Sequence, residues 1–244
     1  MELKDSAFST EFFSFEGKVA IVTGAGTGVG REYALGLAER GAKVLVNDPG
    51  IRTTSKGSEN VAETVTQEIV RNGGCAVASL HGPLEGEEMV LAAEAAFGGA
   101  GVDILVTSCE ITCDHAFMKM GQQDWAEAYH AHLESVYRVT RAVWKGMRKR
   151  RYGRIVHTVG PQAMYGWVGQ ANLGAMGLGV VGLQATLALE GMKSNIKVNT
   201  VVPLASEGLA SSMLAGGLQT AMRPQDTAPV VLWLSHEDCL ESGG

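Results

Sequence analysis

Short apolar runs and amphipathic stretches alternate from residue 19 to residue 234. The apolar runs predict strands at Val19–Thr23, Val44–Asn47, Ala76–Ser79, Val102–Val106, Arg154–His157 and Ile196–Val201. Between them, spacing near 3.6 residues predicts helices at Arg31–Arg40, Glu59–Arg71, Gly86–Phe97, Trp125–Arg150 and Asn172–Glu190. Two shorter helical pieces follow at Leu209–Leu218 and Asp226–Leu234. Strands that are apolar on both faces and alternate with helices imply a doubly wound parallel α/β sheet of Rossmann type. Residues 1–244 read as one such domain, with residues 1–17 as an N-terminal extension.

Charge narrows the choice of partners. A net charge of −6 argues against general binding to nucleic acid or an anionic membrane. The basic run Lys145–Arg151 has the opposite sign and reads as a solvated helix C-terminus, where cations suit the helix dipole. No apolar run reaches the length of a membrane span, and the N-terminus lacks the form of a signal peptide. Four cysteines make no disulfide framework, so a soluble protein of a reducing intracellular compartment is expected. Cys109, Cys113 and His115 lack a fourth ligand and a usual zinc spacing, so no metal is expected.

The glycines carry more information. Thr23 to Gly30 holds four glycines directly between the first strand and the first helix. Gly24 is expected to allow the tight turn, Gly28 to let a pyrophosphate approach the backbone, and Gly30 to pack the helix against the sheet. The helix N-terminus would present free N–H groups to the phosphates. Asp48 ends the second strand, where a carboxylate binds ribose hydroxyls and repels a 2′-phosphate. NAD is thus favoured over NADP, and an ordinary loop cap is the alternative role for Asp48.

The Thr-Gly-x3-Gly-x-Gly spacing resembles that of the short-chain dehydrogenase/reductase family. Within it, the chain is similar to the 3-hydroxyacyl-CoA dehydrogenase units of peroxisomal multifunctional enzyme type 2. The likeness is carried by Val46–Asp48, Tyr152–Val156, Tyr165-Gly166, Gly169–Asn172, Glu190–Ile196 and Ala228–Glu237. It implies a seventh, edge strand beyond Gly244; either the sequence is truncated before it, or the sixth strand is left as an edge for something else to cover. It also implies a Ser-Tyr-Lys catalytic set, and here those three positions hold Gly160, Leu173 and Gly177. His132 fits the histidine that these dehydrogenases carry where the wider family has an asparagine, and is the remnant of that tetrad.

Neither Leu nor Gly can take a hydroxyl proton, as alcohol oxidation requires. Tyr165 is followed four residues later by Gly169 rather than lysine, and His157 reads as a strand-end histidine with a local hydrogen bond. The resemblance places His81 where an acidic residue caps the adenine, Glu110 where a glycine passes the cofactor, and Ala210 where a threonine meets the nicotinamide. NAD binding is therefore expected to be weak or absent.

Four glycines in the nine residues 174–182 are costly in a helix, at roughly 1 kcal/mol each relative to alanine. One reading is that they let a partner backbone approach, since in the resembled family this helix and the long one before it form the dimer interface. The other is drift after catalysis was lost. Three functions follow. The first is a pseudoenzyme acting as a structural subunit, as a homodimer or in a heteromer with an active relative or a larger assembly. The second is an NAD-binding sensor. The third is a residual oxidoreductase or another enzyme, using His132, His157, Glu110 or Cys109, for which a closed pocket must join at least two of those side chains.

Overall fold

The computed structural model describes residues 13–54, 57–109, 115–204 and 223–244. The expected helix at 209–218 and residues 1–12 of the extension lie outside the described residues, as do Glu110, Cys113 and Ala210. Phe15, from the rest of the extension, is 1% exposed and packs into the core.

Six strands form one parallel sheet: β1 (Val19–Thr23), β2 (Lys43–Asn47), β5 (Cys75–Ser79), β6 (Ile104–Thr107), β7 (Gly153–Thr158) and β8 (Ile196–Val201). Their spatial order is β5-β2-β1-β6-β7-β8. Alternate residues enter two cores. Ala20, Val22, Val44, Val46 and Val156 meet α1 (Gly28–Glu39), α2 (Val61–Arg71) and α8 (Ala228–Ser235). Ile21, Leu45, Leu105, Ile155 and Val198 meet α3 (Gly86–Ala96), α5 (Ser135–Arg150) and α7 (Ala171–Gly191). The chain leaves β1 in one direction and returns to its other side at β6. The carboxyl ends of β1 and β6 therefore flank the crevice where such sheets bind ligands.

Several local expectations are corrected. Ile51–Thr54 (β3) and Gly57–Asn60 (β4) form an antiparallel hairpin, so Glu59 is strand rather than helix. Asn60 starts α2 instead, its Oδ1 accepting from the N–H groups of Ala62 and Glu63 at 3.0 and 3.2 Å. The expected helix Trp125–Arg150 is interrupted. α4 (Gln122–Ala128) runs into a π-helical turn, Tyr129–Glu134, before α5 begins. A short α6 (Gln162–Tyr165) precedes α7.

The sixth strand is not left bare. Gly243 N donates to Val198 O and Thr200 N to Gly244 O, both at 2.9 Å, so the last residues cover the edge of β8. The segment Ala171–Ser194 is long and apolar enough to cross a membrane by length and composition, contrary to the expectation from runs alone. It packs against β8, where Gln184 Nε2 donates to Val198 O at 2.9 Å. In the basic run, Arg148, Lys149 and Arg150 occupy the last turn of α5, and Arg150 binds Val102 O.

The glycines of α7 face inward more than outward. A Cβ at Gly177 would lie 2.6 Å from the Ala163 Cβ, one at Gly179 3.0 Å from Leu133, and one at Gly174 3.2 Å from Gln162 O. Their smallness lets α6 and the π-turn of the same chain approach. Gly182 alone of the four faces open space.

Candidate functional site

A cavity of about 660 Å³ opens at the crevice between β1 and β6. One end is the glycine turn. Gly24 has φ +60°, and a Cβ there would lie 2.3 Å from Ser108 O, so the turn runs against the end of β6. Gly30 seats α1 on that turn, since a Cβ would meet Gly24 O. Gly28, the first residue of α1, has φ +53° and lines the cavity. Thr27 is the N-cap of α1, and its side chain makes no capping hydrogen bond to the first N–H groups of the helix.

Asp48 joins this end. Its Oδ2 accepts from Gly26 N at 3.0 Å and its Oδ1 from Gly50 N at 2.8 Å. It acts as a loop cap while still lining the cavity. Each carboxylate oxygen keeps a second lone pair, so capping leaves it able to accept from a ligand. Gly26, which sequence reading passed over, is required here because a Cβ would strike Val61 and Asp48 Oδ2.

The other end holds Gly160, Leu173 and Gly177 on one wall. Leu173 is 3% exposed and packs with Ala128 and Met176. None of the three offers a side-chain proton donor or acceptor. His132, in the π-turn, a helix form common at functional sites, lines the same cavity. Its Nε2 lies 3.9 Å from Cys109 Sγ, and both residues line the cavity. Cys109 and His132 thus share one cavity, but it opens at the crevice and is not the closed pocket that was expected.

Gln162 is the functional candidate that sequence reading missed. It is 8% exposed, lines the cavity, and its Oε1 is buried without a hydrogen-bond partner. Its carboxamide fills the space a side chain at Gly160 would need, 2.2 Å from an ideal Cβ. A lone glutamine belongs to no motif, so no sequence signal singles it out.

The remaining candidates sit elsewhere. Tyr165 is 77% exposed and is not part of the cavity lining. His81 Nδ1 is 2.9 Å from Ser79 Oγ, also off the lining. His115 pairs with Asp124 at 3.4 Å, and no group of three metal-binding side chains occurs among the described residues.

His157 is fully buried, with Nδ1 3.0 Å from Thr107 Oγ1 and Nε2 unpartnered. Burial pushes its pKa from 6.5 down to about 4. The folded state binds this proton more weakly than the unfolded chain does. The contribution to stability is complete above pH 6.5 and is lost as pH falls toward 4, amounting to about 3 kcal/mol. Urea unfolding should show that decline, and His157→Asn should remove most of it. An unchanged pH profile in the variant would assign the decline to other groups.

Residues 18–213 match the family model described as short chain dehydrogenase. The chain is 44% identical over 232 residues to peroxisomal multifunctional enzyme type 2 of Mus musculus, covering 94% of this chain and 31% of that protein. It is 44% identical over 232 residues to peroxisomal multifunctional enzyme A of Dictyostelium discoideum, covering 95% and 52%. The chain therefore spans about a third to a half of the length of these relatives. A short chain dehydrogenase from Mycobacterium avium superposes with TM-score 0.80 at 30% identity, over 93% of this chain and 81% of that one. The full-length peroxisomal multifunctional enzyme type 2 from Drosophila melanogaster gives 0.77 at 37% identity, over 94% and 37%.

Proposed function

The chain belongs to the short chain dehydrogenase family, and on that premise we propose that it is a catalytically inactive member, a pseudoenzyme acting as a structural or assembly subunit. The observation that carries this reading is the wall formed by Gly160, Leu173 and Gly177. The family's serine, tyrosine and lysine would stand there, and no other group on that wall can exchange a proton with a bound alcohol. His132 alone supplies neither the tyrosine's proton transfer nor the lysine's hold on a ribose.

The assembly role rests on the outer face of α7. Ala171, Ala175, Leu178, Gly182, Ala185 and Leu189 are exposed at spacings of three and four, an apolar stripe along the helix. Gly182 faces open space at its centre, so a partner helix can approach closely there. Tyr137 of α5, 45% exposed, is a second apolar side chain available to such a partner. A second copy or an active relative fits this face. The relatives' names give the peroxisome as their compartment, and Cys75, Cys109 and Cys239 form no disulfide, which suits a reducing compartment for this chain.

A second reading is a sensor that binds NAD without turnover, or a residual NAD-dependent oxidoreductase acting on 3-hydroxyacyl-CoA. The placement of Gly24, Gly28 and Asp48 supports it, because all three line the cavity at the N-terminus of α1. When bound, NAD supplies the hydride acceptor. This chain would hold its phosphates at the N-terminus of α1 and its adenosine ribose at Asp48.

The full chain mixed with NAD and a 3-hydroxyacyl-CoA should form no NADH. Light scattering should give a mass at least twice 25.7 kDa. Turnover, or a monomer that captures no active relative, would overturn the first reading. Calorimetry with millimolar NADH that gives no heat of binding would end the second.

A further inference from the structure

Cys109, His132 and Gln162 line one cavity and take no part in the assembly role. We propose that Cys109 and His132 form a thiol–imidazole pair that captures a conjugated carbonyl compound, an α,β-unsaturated aldehyde or ketone, with Gln162 binding its oxygen.

Three observations support the pair. Cys109 Sγ and His132 Nε2 are 3.9 Å apart, within reach of a sulfur hydrogen bond. A thiol is nucleophilic once its proton is taken, and a neighbouring imidazole is the usual acceptor. Gln162 lines the cavity and is 8% exposed, with its Oε1 buried and without a hydrogen-bond partner. The same carboxamide carries Nε2, a donor from which a ligand carbonyl would accept. Val136, Val139, Met89 and Leu173 line the same cavity and suit a hydrocarbon substituent.

The step is an addition. The thiol sulfur bonds to the β-carbon, and the alkene π pair shifts toward the carbonyl as an enolate. Gln162 Nε2 donates to that oxygen while it carries the charge. The thiol proton passes to His132 and then to the α-carbon. One C–S and one C–H bond form, one S–H and one C=C π bond break, and no redox partner is needed.

The test uses the whole chain with methyl vinyl ketone in limiting amount, followed by peptide mass spectrometry that separates Cys109 from Cys113. Cys75 is exposed and Cys239 buried, so they bracket ordinary reactivity. Cys109 is expected to be labelled roughly tenfold faster than Cys75 at neutral pH. His132→Gln should remove that advantage. Gln162→Leu should slow ketone addition but leave iodoacetamide labelling of Cys109 unchanged, which a general loosening of the fold would not do. If His132→Gln fails to fold, the parent's pH profile decides. An assisted Cys109 keeps its lead over Cys75 at pH 7, well below the ordinary thiol pKa of about 8.5. Equal labelling of Cys109 and Cys75, a lead that survives His132→Gln, or parallel pH profiles would each overturn the proposal.

Discussion

Arg154→Met is expected to lower the unfolding free energy by about 3–5 kcal/mol, among the largest losses a single side chain can cause here. Arg154 is 1% exposed, yet among the described residues it makes no ion pair with a carboxylate. Its guanidinium instead serves four carbonyls. Nε donates to His236 O at 3.0 Å, Nη1 to Gly153 O and Asn195 O at 3.0 and 3.1 Å, and Nη2 to Glu237 O at 2.8 Å. Burial depresses its pKa, but an arginine stays charged regardless. The Tyr152 ring lies under it, 4.8 Å from the guanidinium carbon, and carries Lys18 at 4.3 Å.

This one side chain ties the start of β7 to the loop before β8 and to the turn after α8. Methionine keeps much of the stem volume and strips the carbonyls of their donors, so the loss reports the hydrogen bonds rather than a cavity. Arg154→Lys keeps the charge but cannot reach four acceptors in a plane, and should recover only part of the loss. Hydrogen exchange at Thr200 and Gly243 should quicken in both variants, because the turn at 236–237 leads into the residues that cover β8. A loss below about 1 kcal/mol in urea would mean that water replaces the guanidinium and that the turn is held by α8 alone.

The sheet and the glycine turn were legible in the sequence because both have a local signature. Buried parallel strands are continuous apolar runs, and a glycine cluster between strand and helix has few other uses. The hairpin β3–β4 was not legible, since Arg52, Thr53, Ser58 and Glu59 form no apolar face. Arg154 looked like an ordinary strand residue, and only the folded chain reveals four carbonyls converging on it. The helix glycines were visible as an anomaly, but sequence could not say which way each one faced. Three of the four turned out to admit parts of their own chain, which leaves Gly182 and the exposed Leu178 and Leu189 to support an external partner. Gln162 was missed for a related reason: its importance lies in being beside Gly160, a relation created by the turn into α6.

Restoring Gly160→Ser, Leu173→Tyr and Gly177→Lys together is expected to yield no dehydrogenase and to cost about 1–3 kcal/mol of stability. The reason is steric. A Cβ at position 160 would lie 2.2 Å from Gln162 Oε1, and one at position 177 would lie 2.6 Å from the Ala163 Cβ. Gln162 is a long side chain and can swing away, whereas Ala163 moves only with the backbone of α6. The space a side chain would need at positions 160 and 177 is thus taken by Gln162 and Ala163. Adding Gln162→Ser and Ala163→Gly should reopen both positions and recover the stability lost in the triple variant. NADH formation from a 3-hydroxyacyl-CoA should then rise by about 10²–10⁴-fold over the triple variant, the range a positioned acid/base supplies. The two extra substitutions without the first three should leave NADH formation at background. Activity in the triple variant alone would show that α6 yields easily and that the wall is less closed than its contacts imply. A stable but silent quintuple variant would move the block from this wall to cofactor binding at the other end of the cavity, where calorimetry with NADH on the same protein reads it directly.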